Sequence, residues 1–121
     1  MPFPFEHLDV YKKSLDFVES IESLTNDLKG KASYSIIDQL SRAALSIPLN
    51  IAEGNGSWHK GEKRQFFWIA RGSVFECVPI LQVLHRKSLI NEQQYAGYYE
   101  RLDIIAKMLT NLVKSVEELK R

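Results

Sequence analysis

The sequence has 121 residues, of which 45% are apolar and 26% charged, enough to bury one core and too few for two domains. Sixteen Lys and Arg against fifteen Asp and Glu leave a formal charge of +1, so no global field commits the chain to nucleic acid or anionic lipid, and such a partner must be met by a local patch. Cys77 is the single cysteine, which excludes an intrachain disulfide framework, and no apolar run approaches a bilayer span; a cytoplasmic protein without membrane contact is expected.

After Leu8 the apolar residues Tyr11, Leu15, Val18, Ile21, Leu24 and Leu28 follow in steps of three and four, which predicts a helix over about 6–29. "KGKAS" interrupts the pattern. A second helix is predicted over about 34–54, with Ser35 as its cap and Asp38 three residues on. Its core face holds Ile36, Ile37, Leu40, Ala43, Ala44, Ile47 and Ile51. The glycines of "GNGSWHKG" make a turn. A third helix, over about 62–87, places Phe66, Ile69, Ala70, Ser73, Cys77, Ile80 and Leu84 on one face, with Phe67, Trp68 and Phe75 off it. In "NEQQ", Asn91 can cap and Gln94 can reach back to the cap amide. The fourth helix, about 92–119, carries the most regular stripe: Tyr95, Tyr98, Leu102, Ile105, Leu109, Leu112, Val116 and Leu119, with Ile104, Met108 and Val113 beside it.

Four long amphipathic helices with short connections predict a single all-α domain over 1–121, an up-down-up-down antiparallel four-helix bundle. The apolar residues left off the four stripes exceed what one core needs, which suits an oligomer interface or a broad core face.

Polar residues fall among the core positions. Arg42, Ser46, Asn50 and Glu53 are separated by four, four and three residues and share one strip. Ser73 and Glu76 lie on the apolar face of the third helix, and Arg71 borders it. Isolated buried charges are too costly, so the expected pairs are Arg42 with Glu76 and Arg71 with Glu53. A structural polar network outweighs acid–base or metal chemistry here, because neither glutamate begins the Glu-x-x-His motif of a di-metal bundle. Pro48 and Pro79 each remove a helical hydrogen bond, to the carbonyls of Ala44 and Phe75, and are expected to bend their helices.

No catalytic constellation emerges. Cys77 sits in an apolar helical pattern and reads as a buried small residue. His7, His59 and His85 have no metal-ligand spacing. "GNGSWHKGEK" lacks the lysine and the preceding strand of a phosphate loop. No metal, cofactor or small-molecule substrate is expected. Charge is locally uneven: between Ser57 and Lys87 six bases face two acids, and between Glu6 and Lys29 three bases face six acids. The bundle topology gathers Lys60, Lys63, Arg64, Lys120 and Arg121 at one end, and Lys29, Lys31, Arg86 and Lys87 at the other. Trp58 and His59 could stack on exposed bases while Lys60, Lys63, Arg64, Arg86 and Lys87 meet phosphates; solvated loop charges are the plainer alternative.

"SRAALSIPLNIAEGNG" followed by "FFWIARGSVFE" resembles the signature of the four-helix-bundle proteins named for 23S rRNA intervening sequences. The matching positions run from Arg42 to Gly54 and from Phe66 to Glu76, and "FEHLDVYKKSLDF" resembles that family's first helix. The resemblance implies a small cytoplasmic bacterial protein assembling into a ring-like homopentamer. It also implies kinship with the accessory proteins of diversity-generating retroelements, basic pentamers that bind nucleic acid and a reverse transcriptase. The combined expectation is a non-enzymatic homo-oligomeric bundle that binds RNA or a ribonucleoprotein partner. The alternative is a protein interaction or scaffold module without nucleic-acid contact.

Overall fold

The computed structural model describes residues 2–119. Its elements are α1 (Asp9–Asp27), α2 (Tyr34–Gly56), α3 (Lys60–Arg86) and α4 (Glu92–Glu117), preceded by a 3-10 turn at Pro4–His7. Among the described residues there are four α-helices and no strand. The predicted first helix is therefore divided. Pro4 opens the short turn, where its missing amide costs nothing, the Glu6 carboxylate accepts the Phe3 amide at 2.8 Å, and extended Leu8 separates the turn from α1.

Each helix packs on two others: α1 and α3 both lie against α2 and α4. The shared core is built from Phe17 and Ile21 of α1, Leu40, Ile47 and Ile51 of α2, Val74, Leu81 and Leu84 of α3, and Leu102, Ile105 and Leu109 of α4. Contacts at the helix ends locate α3. Near its start, the Lys63 ammonium donates to the carbonyls of Gly54 and Asn55 at the end of α2. Near its end, the His85 imidazole lies 2.9 Å from the Glu92 carboxylate at the start of α4.

The core faces are rotated slightly from the predicted ones. In α1 the buried position is Ser14, whose hydroxyl donates to the Tyr11 carbonyl at 2.7 Å, while Leu15 is exposed. In α3 the buried series is Phe67, Ala70, Ser73, Val74, Cys77, Leu81 and Leu84. Phe67, expected off the core, thus belongs to it, and Ile69, expected on it, is exposed. Val113 is likewise buried, whereas Ile104 and Leu119 are exposed. A stripe of period 3.6 drifts from a strict three-four count over a long helix, and such drift selects neighbouring residues.

Both prolines are carried inside continuous helices, so neither divides its helix. The ring of Pro48 is buried among the α2 core residues, where apolar burial offsets part of the lost hydrogen bond. The cap of α2 is Ser33, whose hydroxyl accepts the Ile36 amide at 3.2 Å. Ser35 is the second residue of the helix, and Asp38 pairs instead with Arg42. Asn91 and Gln94 do form the expected reciprocal box, with hydrogen bonds of 2.7 and 2.8 Å.

Candidate interaction site

Ser46, Asn50 and Ser73 come together between α2 and α3. The Asn50 amide donates to the Ser46 carbonyl at 2.8 Å and to its hydroxyl at 2.9 Å, and the Ser73 hydroxyl donates to the Ser46 hydroxyl at 2.8 Å. This small relay satisfies polar groups that the helix contact would otherwise strip of water. It holds no charge, and it leaves a groove above it.

The four charged residues of the expected network do not join it. Arg42 donates to Asp38, one turn earlier on its own helix, at 2.9 Å, and its side chain is 79% exposed. Glu53 and Glu76 are exposed and, among the described residues, form no salt bridge. Arg71 turns toward α4: its Nε donates to the Thr110 hydroxyl at 3.0 Å, and its guanidinium carbon lies 5.2 Å from the ring centre of Trp68 and 4.5 Å from that of Phe75. The pairs Arg42–Glu76 and Arg71–Glu53 are therefore absent. Hydration of an exposed carboxylate is cheaper than burial in a pair, and the aromatic faces hold Arg71 without an anion.

Above the relay lies an open groove of ≈ 720 Å³ between α2 and α3. Its α2 wall carries Asp38, Arg42 and Ser46, and its α3 wall carries Ile69, Gly72, Ser73 and Glu76. Along the outer surface of α3, Trp68, Gly72, Phe75, Pro79 and Val83 are all exposed. They recur in steps of four, three, four and four, so they form one stripe opposite the core face. The helix is apolar on two sides, which is why it is long and apolar enough by composition to cross a bilayer although its other face is core. Trp68 and Phe75 are exposed as expected from their place off the predicted core face, whereas Gly72, Pro79 and Val83, which complete the stripe, are not marked by the predicted face that held Phe66 and Ile69.

The predicted nucleic-acid residues divide between the two ends of the molecule. At the α2–α3 turn Trp58 is 88% exposed, beside exposed His59 and half-buried Arg64. Lys60 and Lys63 are committed locally: Lys60 donates to the Leu119 carbonyl at 3.1 Å and Lys63 to the Asn55 carbonyl at 2.8 Å. Each ammonium meets the carbonyl-rich end of a helix, where positive charge is favoured. Lys120 and Arg121 lie outside the described residues. Arg86 and Lys87 are exposed at the far end of α3, near the stack of His85 on Tyr95, with ring centres 4.7 Å apart.

Cys77 is fully buried, and burial pushes its thiol up from 9.0 to about 12, with the Glu76 carboxylate adding to the rise. The thiolate that nucleophilic or metal chemistry requires is thereby disfavoured. Among the described residues no group of three His, Cys, Asp or Glu side chains is placed to hold a metal ion.

The family model of the 23S rRNA-intervening sequence protein matches residues 6–111, a span that includes the first three helices, most of α4 and both walls of the groove. The chain belongs to this family. A solved structure from Bacteroides thetaiotaomicron, a protein of unknown function from the S23 ribosomal protein family, is similar to this chain with a TM-score of 0.82 and 26% identity, over 87% of this chain and 98% of that one. No curated protein matches it. The four-helix fold agrees with that neighbour, and neither similarity carries an indication of enzymatic activity.

Proposed function

We propose that this protein is a non-catalytic, cytoplasmic, self-assembling module whose helices run up-down-up-down and whose α2–α3 tip contacts RNA or a ribonucleoprotein. The observation that carries the contact is Trp58, 88% exposed on a three-residue turn. An indole held in water at a bundle tip is an apolar cost without a partner, and it supplies a stacking face for an unpaired base. His59 and Arg64 stand beside it, and Lys60 and Lys63 keep their positive charge near the tip while satisfying carbonyls. A homopentameric ring would repeat this tip five times, and weak single contacts would add by multivalency. The exposed stripe on α3 supports self-assembly, since a helix apolar on two sides has more to bury than one bundle offers.

The scaffold reading, in which the protein binds only other proteins, draws on the same two lysines. Cations engaged with helix ends are poorer phosphate ligands than free ones. Titration of the assembled protein with structured and single-stranded RNA at several salt concentrations separates the readings. RNA binding predicts affinity that falls linearly with salt on logarithmic axes; no binding at low salt leaves the scaffold. Light scattering tests self-assembly, and a species of one-chain mass at micromolar concentration contradicts it.

A further inference from the structure

We infer that the groove between α3 and α4, with Arg71 at its mouth, is a binding site for a small aliphatic carboxylate, a medium-chain fatty acid. This goes beyond the tip contact proposed above and does not depend on it. The site has two parts, a guanidinium and an apolar groove, and Phe75 belongs to both.

The Arg71 Nε donates to the Thr110 hydroxyl at 3.0 Å, and that hydroxyl donates in turn to the Ala106 carbonyl at 3.1 Å, so the direction of both bonds is fixed. The ring centre of Phe75 lies 4.5 Å from the guanidinium carbon and that of Trp68 lies 5.2 Å away. An arginine held at Nε and packed on aromatic rings has given up much of its side-chain freedom before any ligand arrives. Its two terminal nitrogens make no hydrogen bond or salt bridge among the described residues. A half-buried fork with open donors matches the two oxygens of a carboxylate, and partial shielding from water strengthens that pairing.

The groove holds ≈ 310 Å³, at the small end of the roughly 300–1,000 Å³ range of small-molecule sites. Phe75 is its wall toward Arg71, and Val74, Val78, Pro79, Leu102 and Ala106 supply most of the rest. The Asp103 carboxylate on the α4 wall binds Lys107 at 2.9 Å and repels a second carboxylate inside the groove. The acid group therefore sits at Arg71, and the chain runs from Phe75 toward Pro79. The same walls select against a peptide. Their backbone groups are engaged within α3 and α4, save the Phe75 carbonyl that Pro79 leaves without its helical donor. One acceptor does not replace the water around peptide amides and carbonyls, whereas a hydrocarbon chain has no such groups to satisfy.

The test is calorimetric titration of the full chain with sodium octanoate, with butyrate and octylamine as comparisons and circular dichroism to establish folding. Octanoate should bind with a Kd of about 1 mM or tighter, and each buried methylene removed should weaken binding roughly four-fold. Octylamine, with the same chain and the opposite charge, should bind about ten-fold more weakly or worse. Arg71→Gln should weaken octanoate by about ten-fold or more. Pro79→Glu gives a second reading if the glutamine variant fails to fold: Pro79 is exposed, the substitution restores a helix amide, and its charge at the apolar end should weaken octanoate by about ten-fold. Trp58→Ala, at the tip, should bind octanoate as wild type does. The inference is overturned if folded wild type takes up no octanoate at millimolar concentration, if octylamine binds as tightly, or if the folded groove variants keep wild-type affinity. A short peptide ending in leucine that binds more tightly than octanoate would assign the groove to a protein C-terminus and overturn it too.

Discussion

At Gly54 the helix-ending segment "NIAEGNG" meets α3. A Cβ there would lie 2.6 Å from Cε1 of Phe67, 2.8 Å from its Cδ1 and 3.1 Å from the Cβ of Phe66. Phe67 is itself buried and has little room to retreat. Gly54→Ala is expected to destabilise the protein by about 1–3 kcal/mol through overpacking, despite the propensity gain of about 0.5–1 kcal/mol for alanine in a helix. Urea unfolding measures the loss, and adding Phe67→Leu should recover part of the clash as a coupling energy between the two sites. Cys77 offers a second test at this scale. The folded state keeps the thiol proton up to about pH 12, whereas an unfolded thiol loses it near 9.0. In that window the native state binds more protons, so stability falls as pH rises, by at most about 1.4 kcal/mol per pH unit. The contribution is fully present below the unfolded value. Urea midpoints on either side of it should diverge for wild type, and Cys77→Ala should remove that part of the slope.

Among the elements, the connection from α3 to α4 ends the longer helix with an unusual residue. Ser88 has a φ of 61°, in the left-handed region. Its amide donates to the His85 carbonyl at 3.0 Å, and the Leu89 amide donates to the Leu84 carbonyl at 2.9 Å, the paired hydrogen bonds of a Schellman end. Glycine normally occupies that position because it has no Cβ to strain. Ser88→Gly is therefore expected to stabilise the fold by about 0.5–1 kcal/mol, seen as a higher urea midpoint with an unchanged slope. This strain was not legible in "RKSLIN", where nothing marks serine for a positive φ. The capping box at Asn91 and Gln94 was legible, because two short polar side chains at that spacing have few other uses before an apolar run. The four helices were legible for the same local reason: hydrophobic period and turn residues act within one segment. The facing of α3 was not, because Phe66, Phe67, Trp68 and Ile69 are four consecutive large apolar residues. Only the partners across the core decide which of them is buried. The charged strip failed likewise: Arg42 and Glu76 do share a groove, but spacing along a helix cannot distinguish a buried pair from two hydrated rims.

For the molecule as a whole, stability and the proposed RNA contact meet at the α2–α3 tip, and the two roles are assigned to different side chains. The Lys63 ammonium reaches the carbonyls of Gly54 and Asn55 at 3.4 and 2.8 Å, so its charge sits at the negative end of α2 and joins the start of α3 to it. Trp58, by contrast, is bound to little in its own chain and is 88% exposed. Lys63→Gln is expected to lower stability by about 0.3–1 kcal/mol, with the larger loss at low salt, as screening weakens a charge–dipole contact. Trp58→Ala should leave the urea midpoint unchanged within about 0.5 kcal/mol and weaken single-stranded RNA binding by about 1–3 kcal/mol, the range for one base stacked on an aromatic ring. The paired measurement is decisive because the variants move opposite readouts. If removing Trp58 alters neither stability nor RNA affinity, the exposed indole has no role in RNA recognition. If Lys63→Gln instead reduces the salt dependence of RNA binding and leaves stability intact, the lysine leaves its carbonyls for phosphate in the complex.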